Sequence, residues 1–141
     1  MPLRVVLDSN VVIDGLLRRR PSSVAIMRAF FAGDFVVVAT LEVLAEYRTA
    51  LISRSVQEAA ARVALPFEFI IMYGEAVAEL VEVVDEGIRF RCSDPDDEKF
   101  TAASTGGHAD FIVSSDPALL ELQDVLEAKV VTPDEFLVRL G

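Results

Sequence analysis

Leu3-Arg4-Val5-Val6-Leu7-Asp8-Ser9-Asn10-Val11-Val12-Ile13 is the stretch that decides the fold. An apolar run of strand-forming residues ends directly on Asp8-Ser9-Asn10, three good helix-capping residues, and apolar positions resume at Val11, Val12, Ile13, Leu16 and Leu17. This reads as a buried strand running straight into a helix. Downstream, Ser22 to Phe31 has helical spacing and stops at Gly33, and Phe35-Val36-Val37-Val38-Ala39 makes a second buried strand. Thr40 can cap a helix carrying Leu41, Val43, Leu44, Tyr47 and Leu51, and Ser55 with Glu58 resembles a capping box for the next one. A further helix is predicted from about Pro66, a third strand over Leu80–Val84, a helix over Asp94–Ser104, a fourth strand over Asp110–Val113 and a fifth over Lys129–Val131. Thr132-Pro133-Asp134-Glu135 combines an N-cap, a first-turn proline and a capping-box glutamate for a last helix. Strands that are apolar throughout and separated by helices predict an α/β fold, a three-layer α/β/α sandwich around a central, mostly parallel five-stranded sheet. In such sheets the ligand site lies beyond the carboxyl ends of the strands, where the strand order reverses.

Bulk properties narrow the function. With 141 residues, 52% hydrophobic and 26% charged, the chain is long enough to bury a core, and no linker or repeat divides it, so one domain over residues 1–141 is expected. The apolar runs are too short to span a bilayer, and Met1 to Val6 leads directly into Asp8 without a leader-like segment, so a cytoplasmic protein without a membrane is expected. Cys92 and His108 are the sole cysteine and histidine, which excludes an internal disulfide and a Cys/His zinc site; any metal must take oxygen ligands. Thirteen Lys plus Arg against 23 Asp plus Glu give a net charge of −10, which repels polyanions unless divalent cations or a basic protein partner intervene.

The acids are placed, not scattered. Asp8 follows the first strand and Asp116 follows the fourth after Val113-Ser114-Ser115, so both belong to the carboxyl edge of the sheet. Glu46 lies about two turns into the helix after the second strand and can reach back toward that edge, with Glu42 one turn earlier on the same face. Asp94-Pro95-Asp96-Asp97-Glu98 packs four acids into five residues at a predicted helix start, more than a helix dipole needs. Each acid alone is explained by capping or solvation; together at one edge they point to a site. Clustered carboxylates repel unless a divalent cation neutralises them, and Mg²⁺ and Mn²⁺ are the hard ions that prefer such oxygens. Such ions supply the chemistry of phosphodiester hydrolysis, which also reconciles the acidic chain with a polyanionic substrate.

At these positions the sequence resembles the PIN domain family of small metal-dependent nucleases, which includes toxins of toxin–antitoxin pairs. The resemblance covers nearly the whole chain and rests on VVLDSNVVI, GDFVVVATLEVLAEY, DPDDEKFTAAS and ADFIVSSDPALL, in that order. Carried over residue by residue, it implies Asp8, Glu46, one of Asp97 and Glu98, and Asp116 as metal ligands. The spacing to Ala102-Ala103 points to Glu98 as the third catalytic acid, with Asp97 the substitute. It implies supporting roles for Asn10 and for Ser114, which would hydrogen-bond the first aspartate. It further implies a Mg²⁺- or Mn²⁺-dependent endoribonuclease in which a metal-activated water attacks RNA, plausible partners being an antitoxin and a second copy of the chain in a homodimer.

Arg18-Arg19-Arg20 suits phosphate contact and a helix carboxyl end equally. Lys99 is read as an ion-pair partner of the acidic run, His108 as a loop residue between glycine-rich neighbours, and Cys92 as an edge or loop residue. Leu41, Val43, Leu44, Phe67, Phe69, Ile70, Ile71 and Met72 exceed one amphipathic stripe and are read as core plus, in part, a dimer face or an antitoxin groove. Two other functions compete. A haloacid-dehalogenase-like phosphatase needs D-x-D where this chain has Asp8-Ser9-Asn10, and a response-regulator receiver finds only a poor match at Val83-Val84-Asp85. A non-catalytic PIN-like module binding RNA or protein would be marked by lost acids, and all four positions hold acids here.

Overall fold

In the structure, a computed structural model describing residues 2–141, β1 (Arg4–Leu7) is the middle strand and the one that organises everything else. It pairs in parallel with β2 (Val36–Ala39) on one side, Val5 opposite Val37, and with β4 (Phe111–Val113) on the other, Leu7 opposite Val113. β3 (Glu82–Val83) adds to β2 and β5 (Lys129–Val131) to β4, giving a fully parallel five-stranded sheet of order β3-β2-β1-β4-β5. The chain builds outward from β1 through β2 to β3 and then crosses back to β4, so the strand order reverses at β1 and β4. Their carboxyl ends flank the crevice that this reversal opens.

The helices are α1 (Ser9–Leu17), α2 (Pro21–Phe31), α3 (Leu41–Leu51), α4 (Arg54–Arg62), α5 (Phe67–Leu80), α6 (Glu98–Gly106), α7 (Pro117–Leu120) and α8 (Pro133–Leu140). With the sheet between them they form the three-layer α/β/α sandwich. Val5, Val6, Val38, Ala39, Ile112 and Val113 are wholly inaccessible, as strands covered on both faces must be. A smaller apolar cluster, Ile13, Leu17, Leu51, Val56, Ala60 and Ile70, ties α1, α3, α4 and α5 together away from the sheet. Among the described residues no helix is long and apolar enough to cross a membrane.

Three local differences from the sequence reading have physical causes. The Leu80–Val84 strand contracts to Glu82–Val83, because Leu80 completes α5 and Val81 caps it; Val84 contributes one further bond, its amide donating to the Ala39 carbonyl at 3.0 Å. The cap of α4 is Ser53, whose hydroxyl accepts from the Val56 amide, while Ser55 lies within the helix and Glu58 pairs with Arg54 at 3.0 Å instead of closing a box. The Asp94–Ser104 helix opens with a separate 3₁₀ turn, Pro95–Asp97, before α6 begins at Glu98. The box at Thr132 and Glu135 forms as the sequence reads, both of its hydrogen bonds being present.

Candidate metal centre

Asp8 caps α1, so its position is set by two local facts: β1 ends at Leu7, and its own Oδ1 accepts from the Asn10 amide at 3.3 Å. Its backbone amide donates to the Val113 carbonyl at 3.0 Å, which ties it to the end of β4. Ser114 comes next on that strand. Its hydroxyl donates to Asp8 Oδ2 at 2.6 Å and accepts from the Asp116 amide at 2.9 Å, so one buried side chain orients both strand-end aspartates. Asp116 in turn caps α7, accepting from the Ala118 amide at 2.9 Å. Asn10 is exposed and lines the same cleft, of about 780 Å³, as Asp8 and Asp116.

Glu46 reaches the site from α3. Tyr47, fully buried beside it, donates its hydroxyl to the Leu7 carbonyl and so fixes α3 against the end of β1. Both carboxylate oxygens of Glu46 are engaged, one by the Ser9 hydroxyl and the other by Lys99, whose ammonium is also mostly enclosed. Lys99 keeps its charge against a burial that disfavours it, because the Glu46 partner raises its pKa. Glu42 faces elsewhere and pairs with Arg89.

The 3₁₀ turn separates the two acids between which the sequence leaves a choice. Asp94 caps the turn by accepting from the Asp96 amide at 3.1 Å, and a residue three positions on in a 3₁₀ turn eclipses the first. Asp97 is accordingly buried on the same side as Asp94, and a carboxylate oxygen from each of Asp94, Asp97 and Asp116 lies within 4.8 Å of the others. Glu98, one step further round, accepts from the Cys92 amide at 3.2 Å and braces the irregular segment before the turn. Asp94 is the residue the sequence reading left without a role; the Asp-Pro start and its three-residue offset from Asp97 are the signal that marks it.

This edge is electrostatically uncomfortable. Burial raises the pKa of Asp8, only partly countered by Ser114 and Asn10, and the nearby charges of Asp116 and Glu46 raise it further. Asp97 is pushed up to about 8, by burial first and then by Asp116, with Asp8 and Asp94 adding to it. Its Oδ2 is buried without a hydrogen-bond partner, and its contact with the Asp116 carboxyl becomes a hydrogen bond only if one of the two holds a proton. Three carboxylates converging, with no Lys or Arg among the described residues paired to any of them, suit a hard divalent cation in size of cluster, in charge and in ligand type. The Cys92 thiol stays protonated, held up at about 11 by burial and by the surrounding acids.

A family model described as the PIN domain matches residues 4–118. Among solved structures the chain is similar to one in the crystal structure of VapBC2 from Rickettsia felis bound to a DNA fragment from their promoter. The two share 11% identity and a TM-score of 0.50, the match covering 92% of this chain and 98% of that one, a likeness of fold. No curated protein matches the sequence.

Proposed function

This chain belongs to the PIN domain family, and on that premise we propose that it is a single-domain Mg²⁺- or Mn²⁺-dependent endoribonuclease. Asp97 and Asp116, with Asp94 beside them, would hold the metal together with Asp8, and Glu46 stands at its margin. The observation that carries the reading is the convergence of Asp97, whose buried Oδ2 has no hydrogen-bond partner, with the carboxylates of Asp94 and Asp116. A divalent ion bound there supplies a lowered pKa for a water nucleophile and positive charge for the phosphodiester.

The protein's own residues prepare that chemistry. Ser114 fixes the Asp8 carboxylate and the Asp116 backbone in one register, so two ligands arrive pre-oriented from adjacent strands. Ser9 and Lys99 hold Glu46 at the edge of the cluster and limit the repulsion it adds. Asp97 takes the third position that the sequence spacing offered to Glu98, because Glu98 is committed to the Cys92 amide. No side chain at the site is placed as a covalent nucleophile, and the Cys92 thiol is protonated.

The reading extends to partners. Phe67, Phe69, Ile71 and Met72 of α5 are exposed, an apolar face that suits either an antitoxin or a second copy of the chain. The similar Rickettsia chain is itself found in a two-component complex, which supports the toxin of a toxin–antitoxin pair.

The test is cleavage of a single-stranded RNA in Mn²⁺, in EDTA, and by Asp116→Asn. Activity should be abolished by EDTA and fall by on the order of 10³-fold in the variant, several kcal/mol of lost charge stabilisation, with thermal unfolding showing an intact fold. Full activity in EDTA sinks the mechanism, and RNA binding without cleavage in Mn²⁺ replaces it with a binding module.

A further inference from the structure

The metal centre leaves one conspicuous sequence feature unused, the triplet Arg18-Arg19-Arg20 between α1 and α2. Arg18 turns the chain in the left-handed conformation, with φ of 56°, and throws the next two arginines back toward Asp14. Arg19 and Arg20 reach that carboxylate at 3.2 and 3.3 Å, so two guanidiniums share one acid and keep an excess of positive charge. Both remain largely exposed, on the wall of the same cleft that holds Asp8 and Asp116.

The start of α2 lies beside them and is incomplete. Arg20 occupies the N-cap position, where an arginine has no acceptor to offer the first amides and where a cation opposes the helix dipole. No side chain caps the helix. Ser23, in its first turn, is 1% exposed, lines the cleft, and has a hydroxyl without a hydrogen-bond partner. A separate groove, of about 680 Å³, lies along α2 from Pro21 to Ala32 and is lined by Arg18 and Arg28, with Asp34 its one acid. On a chain of net charge −10, four of its 13 cations therefore lie on α2 or in the loop that leads into it, two of them in the cleft of Asp8 and Asp116.

Apart from Asp14, which the two guanidiniums share, the groups around the amino end of α2 are donors: guanidiniums, helix amides and an unpaired hydroxyl. They fit a ligand rich in anionic acceptor oxygens. We propose that the amino end of α2, with Arg19, Arg20 and Ser23, binds a backbone phosphate of the substrate strand adjacent to the one held at the acids, the strand continuing into the groove of Arg18 and Arg28. This rests on the RNA-cleavage reading and adds to it a direction: the strand leaves the centre over α2. The cap of α2 is then completed by substrate, on a path where four guanidiniums offset the repulsive field of the chain.

The test measures binding of a fluorescent single-stranded RNA to the full chain carrying Asp116→Asn, which removes turnover, as a function of salt. Arg19→Ala/Arg20→Ala should weaken binding about tenfold and flatten the log K against log salt plot by about 0.7, the value of one single-strand phosphate contact. Arg28→Ala should flatten it by a similar step, and Arg62→Ala on α4 should not. In the cleaving protein the double substitution should act on KM more than on kcat, and Arg19→Lys/Arg20→Lys should recover the salt slope, which a merely misfolded variant would not. Affinity within twofold of the parent and an unchanged slope overturn the proposal while leaving metal-dependent cleavage standing. A parent that neither binds nor cleaves RNA overturns both, and the cleavage assay tells the two failures apart.

Discussion

The two edges of the same sheet treat acidic residues in opposite ways. At the amino edge, Glu82 pairs with the Arg4 guanidinium, Arg4 also donates to the Gly107 carbonyl at 2.8 Å, and Asp110 accepts from the Arg4 amide at 2.9 Å. Each acid has a donor, and Arg4 holds the Glu82 carboxyl below its usual range. At the carboxyl edge Asp8, Asp94 and Asp116 accept hydrogen bonds from amides or from Ser114, but among the described residues no Lys or Arg pairs with them or with Asp97, Asp97 Oδ2 has no partner at all, and burial pushes Asp8 and Asp97 upward. Paired acids are what stability alone selects; repelling acids cost stability and need a use. The contrast separates an edge whose acids are held by Arg4 from one whose acids cluster without a cation, and the proposed function gives the second a use.

The most severe way to break the contrast is Asp97→Asn. It should reduce Mn²⁺-dependent cleavage by on the order of 10³-fold and abolish the rise in melting temperature on adding Mn²⁺. The metal-free variant should nevertheless melt higher than the parent at pH 8, because the repulsion is gone. The sign follows from the direction of the shift: a carboxyl whose folded pKa is raised binds its proton more tightly in the folded state. The metal-free parent is therefore favoured below the ordinary carboxyl range near 4 and loses stability as pH rises from there through about 8 for Asp97. Thermal melts of both proteins from pH 4 to 9 in EDTA check this, and parallel curves would refute it. Glu82, with its pKa lowered, contributes in the opposite sense, stability that is lost as pH falls, and its exposure keeps that contribution small.

Ser114→Ala comes next. It keeps every acid but frees Asp8 Oδ2 and the Asp116 amide from their common partner, so Mn²⁺ affinity measured by titration calorimetry should fall roughly 10- to 100-fold. Unchanged affinity would mean that the serine serves packing alone. The smallest effect belongs to the other edge: Glu82→Gln should cost no more than about 1 kcal/mol in chemical denaturation and leave cleavage as it was.

Much of this site was legible before any fold was seen, for an identifiable reason. Asp8 and Asp116 each follow an apolar strand and each cap the next helix, so strand periodicity and capping chemistry, both local, place them at one edge. Glu46 was reachable by counting turns on α3. The choice between Asp97 and Glu98 was not, since neighbouring residues on a helix differ by roughly 100° in direction, and a 3₁₀ turn changes that step. Spacing to Ala102-Ala103 favoured Glu98, and the turn at Pro95–Asp97 puts Asp97 inside and hands Glu98 to the Cys92 amide.

The sequence alone thus determined the α/β class, the alternation of strand and helix, and two carboxylates at one sheet edge, because all of these follow from hydrophobic period and caps within a few residues. Only the tertiary structure decided that β1 and β4 are neighbours, that Ser114 bridges Asp8 to Asp116, that Asp94 joins the cluster, and that Arg19, Arg20 and the buried Ser23 share a cleft with Asp8 and Asp116. Those facts rest on contacts between segments tens of residues apart, whose geometry is set by how the layers pack.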